Sequence, residues 1–209
     1  MTDKTLNNFK EDFSDWDTYY KENKVKNMPW YEKNLDYDLE NEIISKNLSK
    51  GKFLDLGTGP GTQAVQLAKR NFEVTATDIS PTAIDNAKKL SNKINFLVDD
   101  VLNSQLADNK FDFIFDRGIF HVFDVSQRPR YVKQIKRILD DNGILFLKCM
   151  SVDEKIIPDN AIPHKLSKQE IIDSFSTDFD VESIENSIFH GTLEIKLKAL
   201  FAVLKKKSS

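Results

Sequence analysis

Residues 53–62, Phe53-Leu54-Asp55-Leu56-Gly57-Thr58-Gly59-Pro60-Gly61-Thr62, hold the chain to a narrow set of folds. A short apolar run closes on Leu56, and glycine then takes every second place up to position 61. The run has strand character and the residues after Thr62 have helical spacing. A glycine-rich turn between a strand and a helix has two physical consequences. It lets a ligand approach backbone that carries no Cβ. It also aims the free N–H groups at the start of a helix toward that ligand.

The rest of the chain repeats that alternation. Lys52–Leu56 reads as a first strand and Thr62–Arg70 as a helix. Phe72–Thr77 is a second strand, followed by Ser80-Pro81 as N-cap and first-turn proline of a helix running to about Leu90. Ile94–Val98 and Phe111–Phe115 are strands three and four. Ser126–Leu139 is helical, Asp141-Asn142-Gly143 is a stop signal, and Ile144–Cys149 is strand five. Residues 151–166 read as a loop, and Ser167 caps a helix to about Phe175. Phe179–Ser183, with Asn186–Phe189, forms strand six, and Leu197–Leu204 the last strand. Such alternation predicts an α/β fold with a parallel sheet covered on both faces. Ahead of it, Phe9, Phe13, Trp16 and Tyr20 recur at helical steps. A second helix is expected over Asp38–Leu48, with Leu39, Ile43 and Ile44 on one side and Gly51 ending the segment. Residues 1–50 are therefore expected to form a helical cap on one domain spanning 1–209. Residues 51–150 would be its ligand-binding half and 151–209 its C-terminal sheet half.

Composition excludes several functions. The net charge of −3 over 209 residues implies no broad basic face, which argues against nucleic acid as a partner. A single cysteine, Cys149, leaves no disulfide framework and no cysteine metal cluster, and its place at the end of an apolar run suits a buried, inert thiol. No apolar stretch approaches the length of a membrane span, and the first residues carry no apolar secretory segment, so a cytoplasmic protein is expected. No metal site is expected.

The glycine spacing selects the ligand. A dinucleotide fingerprint wants G-x-G-x-x-G, whose third glycine would fall on Thr62. The observed G-x-G-x-G, with Asp55 two residues ahead of it, resembles the S-adenosylmethionine (SAM) loop of the class I methyltransferases. That resemblance implies a Rossmann-like, seven-stranded sheet of order 3-2-1-4-5-7-6 with strand seven antiparallel. It also assigns the loops after strands one to four. Gly57, Thr58, Gly59 and Gly61 would pack against the methionine part and ribose of SAM, and Asp55 would help hold its ammonium group. Asp78, 21 residues beyond Gly57, ends strand two. A carboxylate there can accept both ribose hydroxyls, and Ile79 would lie on the adenine. Asp100, followed by Val101, would take the adenine amino group. Asp116 and Arg117 would lie beside the transferable methyl, paired with each other or with substrate. His121 and Asp116 are the candidate catalytic groups, His121 as a general base because an ordinary imidazole titrates near neutrality.

Trp16, Met28-Pro29-Trp30, Asp116-Arg117-Gly118 and Pro163-His164 look like one branch, the small-molecule enzymes related to thiopurine and tellurite-resistance methyltransferases. The expected acceptor is accordingly a small molecule, in a pocket drawn from Tyr19, Trp30, Arg117, Phe120 and His164. Residues required by other branches are missing: Asp116-Arg117-Gly118-Ile119 replaces the Asp/Asn-Pro-Pro-aromatic motif of nucleic-acid amino methylation. Cys149 follows lysine rather than proline. In-line methyl transfer is the leading function. A non-catalytic SAM-binding module and a nicotinamide-dependent oxidoreductase remain as alternatives, the latter because Asp78 also sits where a dinucleotide ribose acid would.

Overall fold

The computed structural model describes residues 15–159 and 162–208; Phe9 and Phe13 lie outside them. The strands are β1 (Lys52–Leu56), β2 (Glu73–Asp78), β3 (Asn95–Val98), β4 (Phe111–Arg117), β5 (Leu139–Met150), β6 (Phe179–Phe189) and β7 (Leu197–Lys206). The helices are α1 (Trp16–Glu22), α2 (Tyr37–Ser45), α3 (Thr62–Ala68), α4 (Pro81–Lys88), α5 (Arg128–Ile138) and α6 (Lys168–Phe175). The strands form one sheet of order β3-β2-β1-β4-β5-β7-β6. β1 pairs in parallel with β2 and β4, β2 with β3, and β4 with β5, while β7 runs antiparallel between β5 and β6. This is the Rossmann-like architecture expected from the glycine turn and the resemblance it carries.

Side chains alternate across a strand, and both faces are apolar here. Leu54, Ile114, Leu145 and Leu147 point to a core shared with Tyr131 and Ile135 of α5 and Phe175 of α6. Phe53, Phe115, Phe146 and Phe201 point to the other core, closed by Leu39 of α2, Leu67 of α3 and Ile84 of α4. Covering both faces satisfies the demand of a parallel sheet for burial on each side. Strand order reverses on either side of β1, and a crevice opens there beyond the strands' carboxyl ends.

Local sequence explains most boundaries, and the departures have physical causes. Ser80 caps α4 by accepting from the Ala83 N–H, with Pro81 in the first turn, and Ser167 and Glu170 form a reciprocal capping box on α6. α2 buries Leu39 and Ile43, but Ile44 is exposed, because a short helix lying on the sheet has one apolar face only. The segment turns at Asn47, which holds a positive φ of 51°, well before Gly51. The expected helix over 126–139 is confined to Arg128–Ile138. Leu139 is already extended and opposite Phe111, so Asp141-Asn142-Gly143 is an excursion inside β5 rather than a helix stop. Strand six is a single piece that shifts register between Val181 and Ser183. Among the described residues, no helix is long and apolar enough to cross a membrane.

Candidate functional site

A cavity of about 220 Å³ lies at the crevice. Its floor is the glycine turn, at Leu56 and Gly57, with Thr77 and Asp78 at the end of β2, Ile79 just beyond, and Asp99, Asp100 and Val101 after β3 on one side. Arg117, His121 and Phe123 after β4, Met150 of β5, Pro163, Phe189 and Leu197 form the other side, and Trp16, Tyr20 and Trp30 of the N-terminal segment roof it.

The turn is held by its own backbone and by two carboxylates. Gly57, Gly59 and Gly61 have φ values of 64°, 46° and 75°, a region that L side chains rarely adopt. Space is excluded as well: a Cβ on Gly57 would lie 2.1 Å from Ile119 Cδ1, and one on Gly59 2.4 Å from the Tyr20 hydroxyl. Asp78 Oδ2 accepts from the Gly59 N–H and Oδ1 from the Ser80 N–H, each at 2.9 Å. That fixes its carboxylate at the cavity edge with a lone pair left on each oxygen. Burial raises its pKa, although the hydrogen bonds from Ser80 and Gly59 oppose that. Asp55 lies beneath the turn. Its Oδ2 accepts from the Thr58 hydroxyl at 2.5 Å and the Ala64 N–H at 3.0 Å, and burial pushes its pKa up to about 6. The geometry makes Asp55 a brace for the loop and α3. Thr58 and Gly61 are part of that brace, and neither they nor Asp55 line the cavity.

After β3, two adjacent acids divide the work. Asp100 accepts from the Leu102 N–H and the Asn103 side chain. Asp99 accepts from the Gln105 N–H through Oδ1, while its Oδ2 is buried without a hydrogen-bond partner. An orphaned buried carboxylate oxygen on a cavity wall is a costly feature unless a donor arrives there. Sequence reasoning preferred Asp100; the structure leaves the open acceptor on Asp99. The doubled acid was the signal, and it did not say which of the two was free.

After β4, the expected Asp116–Arg117 pair does not form. Asp116 is fully buried; it accepts from the Gly118, Ile119 and Phe120 N–H groups and from the Tyr131 hydroxyl, and burial raises its pKa to about 6. It shapes the loop from below and does not line the cavity. Arg117 turns the other way. Its Nε donates to Asp36 Oδ2 at 2.9 Å, and its terminal nitrogens donate to the carbonyls of Trp30 and His190. Lys148, wholly buried, donates to both Asp36 oxygens at 2.9 Å and to Asp38 at 2.7 Å. Burial pushes the Asp36 pKa up, but Lys148 and Arg117 outweigh it and hold the carboxyl below its ordinary value. Sequence reasoning missed this knot, although a lysine inside Ile144–Met150 was a sign that a counter-charge must reach it.

His121 lines the cavity, but as a donor. The Met150 N–H donates to its Nδ1 at 2.9 Å, which leaves the proton of the neutral ring on Nε2. Burial lowers its pKa to about 3. A ring whose acceptor nitrogen is engaged is poorly placed to remove a proton, so the geometry replaces a general base with a hydrogen-bond donor. A neutral, Nδ1-bonded ring is expected in a nitrogen-edited NMR titration down to pH 5; protonation near pH 6.5 would contradict it. Because the folded pKa lies below the unfolded one, His121 contributes stability at pH above about 6.5 that is lost as pH falls toward 3.

The remaining candidates divide. Trp30 and Ile79 line the cavity. Phe120 is buried in the core against Tyr131 and Phe175, 5.1 and 5.0 Å between ring centres. Tyr19 packs on Trp30 at 5.4 Å outside the lining, and its neighbour Tyr20 takes the inward position. His164 donates its N–H to the His121 carbonyl at 2.7 Å, and Pro163 rather than His164 faces the cavity. Cys149 is buried, and burial raises its pKa well above that of an ordinary thiol, as expected of an inert one.

A methyltransferase-domain family matches residues 53–143. Among curated proteins, the chain is 31% identical over 119 residues to a probable thiol methyltransferase 2 of Arabidopsis thaliana, covering 54% of this chain and 52% of that protein. It is 28% identical over 140 residues to EEF1A lysine methyltransferase 2 of Homo sapiens, covering 61% and 53%. The chain thus spans about half the length of these relatives. A solved structure described under the conversion of a disulfide bond into a thioacetal group during echinomycin biosynthesis superposes with a TM-score of 0.79 at 24% identity, over 92% of this chain and 91% of that one.

Proposed function

We propose that this chain is a class I SAM-dependent methyltransferase that moves the methyl group of its cofactor onto a small, apolar acceptor that arrives already ionised. The methyltransferase-domain match over the glycine turn counts against the nicotinamide alternative. The residues present fit the cofactor: Asp78 would take the ribose hydroxyls, the orphaned Asp99 oxygen would take the adenine amino group, and the Gly57 backbone on the cavity floor would lie against the rest. When bound, the cofactor supplies a sulfonium-activated methyl that is lost by in-line displacement.

The observation that carries the acceptor class is the division of the cavity. Its carboxylates, Asp78, Asp99 and Asp100, stand after β2 and β3. On the far side of β1 the described lining includes the apolar Ile119, Phe123, Met150, Pro163, Phe189 and Leu197, with His121 as a donor, while Arg117 is engaged by Asp36 and two carbonyls. Apolar walls exclude water, and the Nε2–H donor of His121 favours an anion. The chain's contribution is then alignment and desolvation rather than proton removal. A thiolate or comparably soft anion meets those terms.

Calorimetry of the protein with S-adenosylhomocysteine should give saturable binding; its absence would end this reading. Labelled-SAM turnover with thiols, selenols, amines and lysine-bearing proteins tests the acceptor. Product on low-pKa thiols is expected, with a rate that rises with pH through the acceptor's own ionisation and has no step near pH 6.5. Transfer to protein lysine alone would overturn the small-molecule assignment.

A further inference from the structure

α1 is docked on the cofactor side of the crevice rather than loosely laid over it. Asp17 Oδ1 accepts from the Ser80 hydroxyl and the Thr82 N–H, both at 2.8 Å, which ties the helix to the first turn of α4 directly after Asp78. One turn further along, Tyr20 is turned inward. It is 5% exposed and lines the cavity. Its hydroxyl lies over the glycine turn, 2.4 Å from where a Gly59 Cβ would be. That oxygen accepts from Trp30 Nε1 at 3.3 Å, and among the described residues no acceptor stands within reach of its own proton. The nearby Asp78 carboxylate, whose charge acts on this phenol, accepts from the Gly59 and Ser80 amides and not from the Tyr20 hydroxyl.

A buried phenol with an unused proton over the glycine turn needs an acceptor. Resting on the cofactor reading above, we propose that Tyr20 donates this proton to the α-carboxylate of bound SAM. The N-terminal helix thereby reads the amino-acid end of the cofactor while Asp78 reads its ribose. Asp17 is a positioning residue in this arrangement, because it sets the helix and not the ligand. Burial raises the Tyr20 pKa far above neutrality, so the proton stays on the phenol throughout the working range.

Tyr20→Phe removes the hydroxyl and keeps the ring that packs with Met28 and Ala83. Calorimetry should show its affinity for S-adenosylhomocysteine reduced roughly tenfold or more. Its affinity for 5′-deoxy-5′-methylthioadenosine, which has the adenosine and sulfur but no amino-acid tail, should stay within about twofold by the same reasoning. Unchanged homocysteine-adduct binding would overturn the proposal. So would an equal loss for both ligands, which would assign the effect to the packing of the roof. Failure of the unmodified protein to bind either ligand would overturn the cofactor assignment itself.

Discussion

Asp78→Ala is expected to weaken S-adenosylhomocysteine binding by about 1–3 kcal/mol, roughly five- to 150-fold in Kd by calorimetry. The effect has two parts. The ribose hydroxyls lose a charged acceptor with a free lone pair on each oxygen. The turn also loses its tether, since the Gly59 and Ser80 N–H groups both donate to this carboxylate. Asp78→Asn separates the two. Its single amide oxygen keeps one backbone bond and its nitrogen is a donor where acceptors are needed, so binding should fall while the melting temperature changes less than in the alanine variant. An alanine variant that binds as tightly as the parent would remove Asp78 from the site.

The second large effect concerns stability. Asp36→Ala should cost about 3–5 kcal/mol, because it strands a wholly buried Lys148 ammonium and deprives Arg117 of its carboxylate. Against a typical total of about 5–15 kcal/mol, that loss is a fifth at least. Urea denaturation should show a lower midpoint with an unchanged slope. Adding Lys148→Met should recover part of the loss, since the uncompensated charge is then gone. A cost below about 1 kcal/mol, on the same scale, would mean that water or Asp38 neutralises the lysine unaided.

The sheet and its helices were legible because their signals are local. Ser80-Pro81, Ser167 with Glu170, and the glycine turn each announce a boundary within a few residues. The 141–143 excursion was not, since Asp-Asn-Gly has the same local chemistry whether it ends a helix or bulges from a strand, and only pairing of Leu139 with Phe111 decides. The candidate site divides in the same way. Asp78 is placed by one strand end, and the structure sets it on the cavity. The direction taken by Arg117 depends on Asp36, 81 residues earlier, and on the His190 carbonyl, 73 residues later. The ring nitrogen of His121 that remains free is set by the Met150 amide, 29 residues away. No spacing rule encodes partners so far apart.

The cavity's lining comes from two kinds of stretch. Gly57, Asp78, Asp99, Asp100, Arg117 and His121 fall inside the 53–143 segment that matches a methyltransferase-domain family, whereas Tyr20, Trp30, Met150, Ile162, Phe189 and Leu197 fall outside it. Substitutions at Trp30, Met150, Ile162, Phe189 and Leu197 can therefore reshape the cavity wall without touching the matched segment, so diversification of such a chain should concentrate on either side of it.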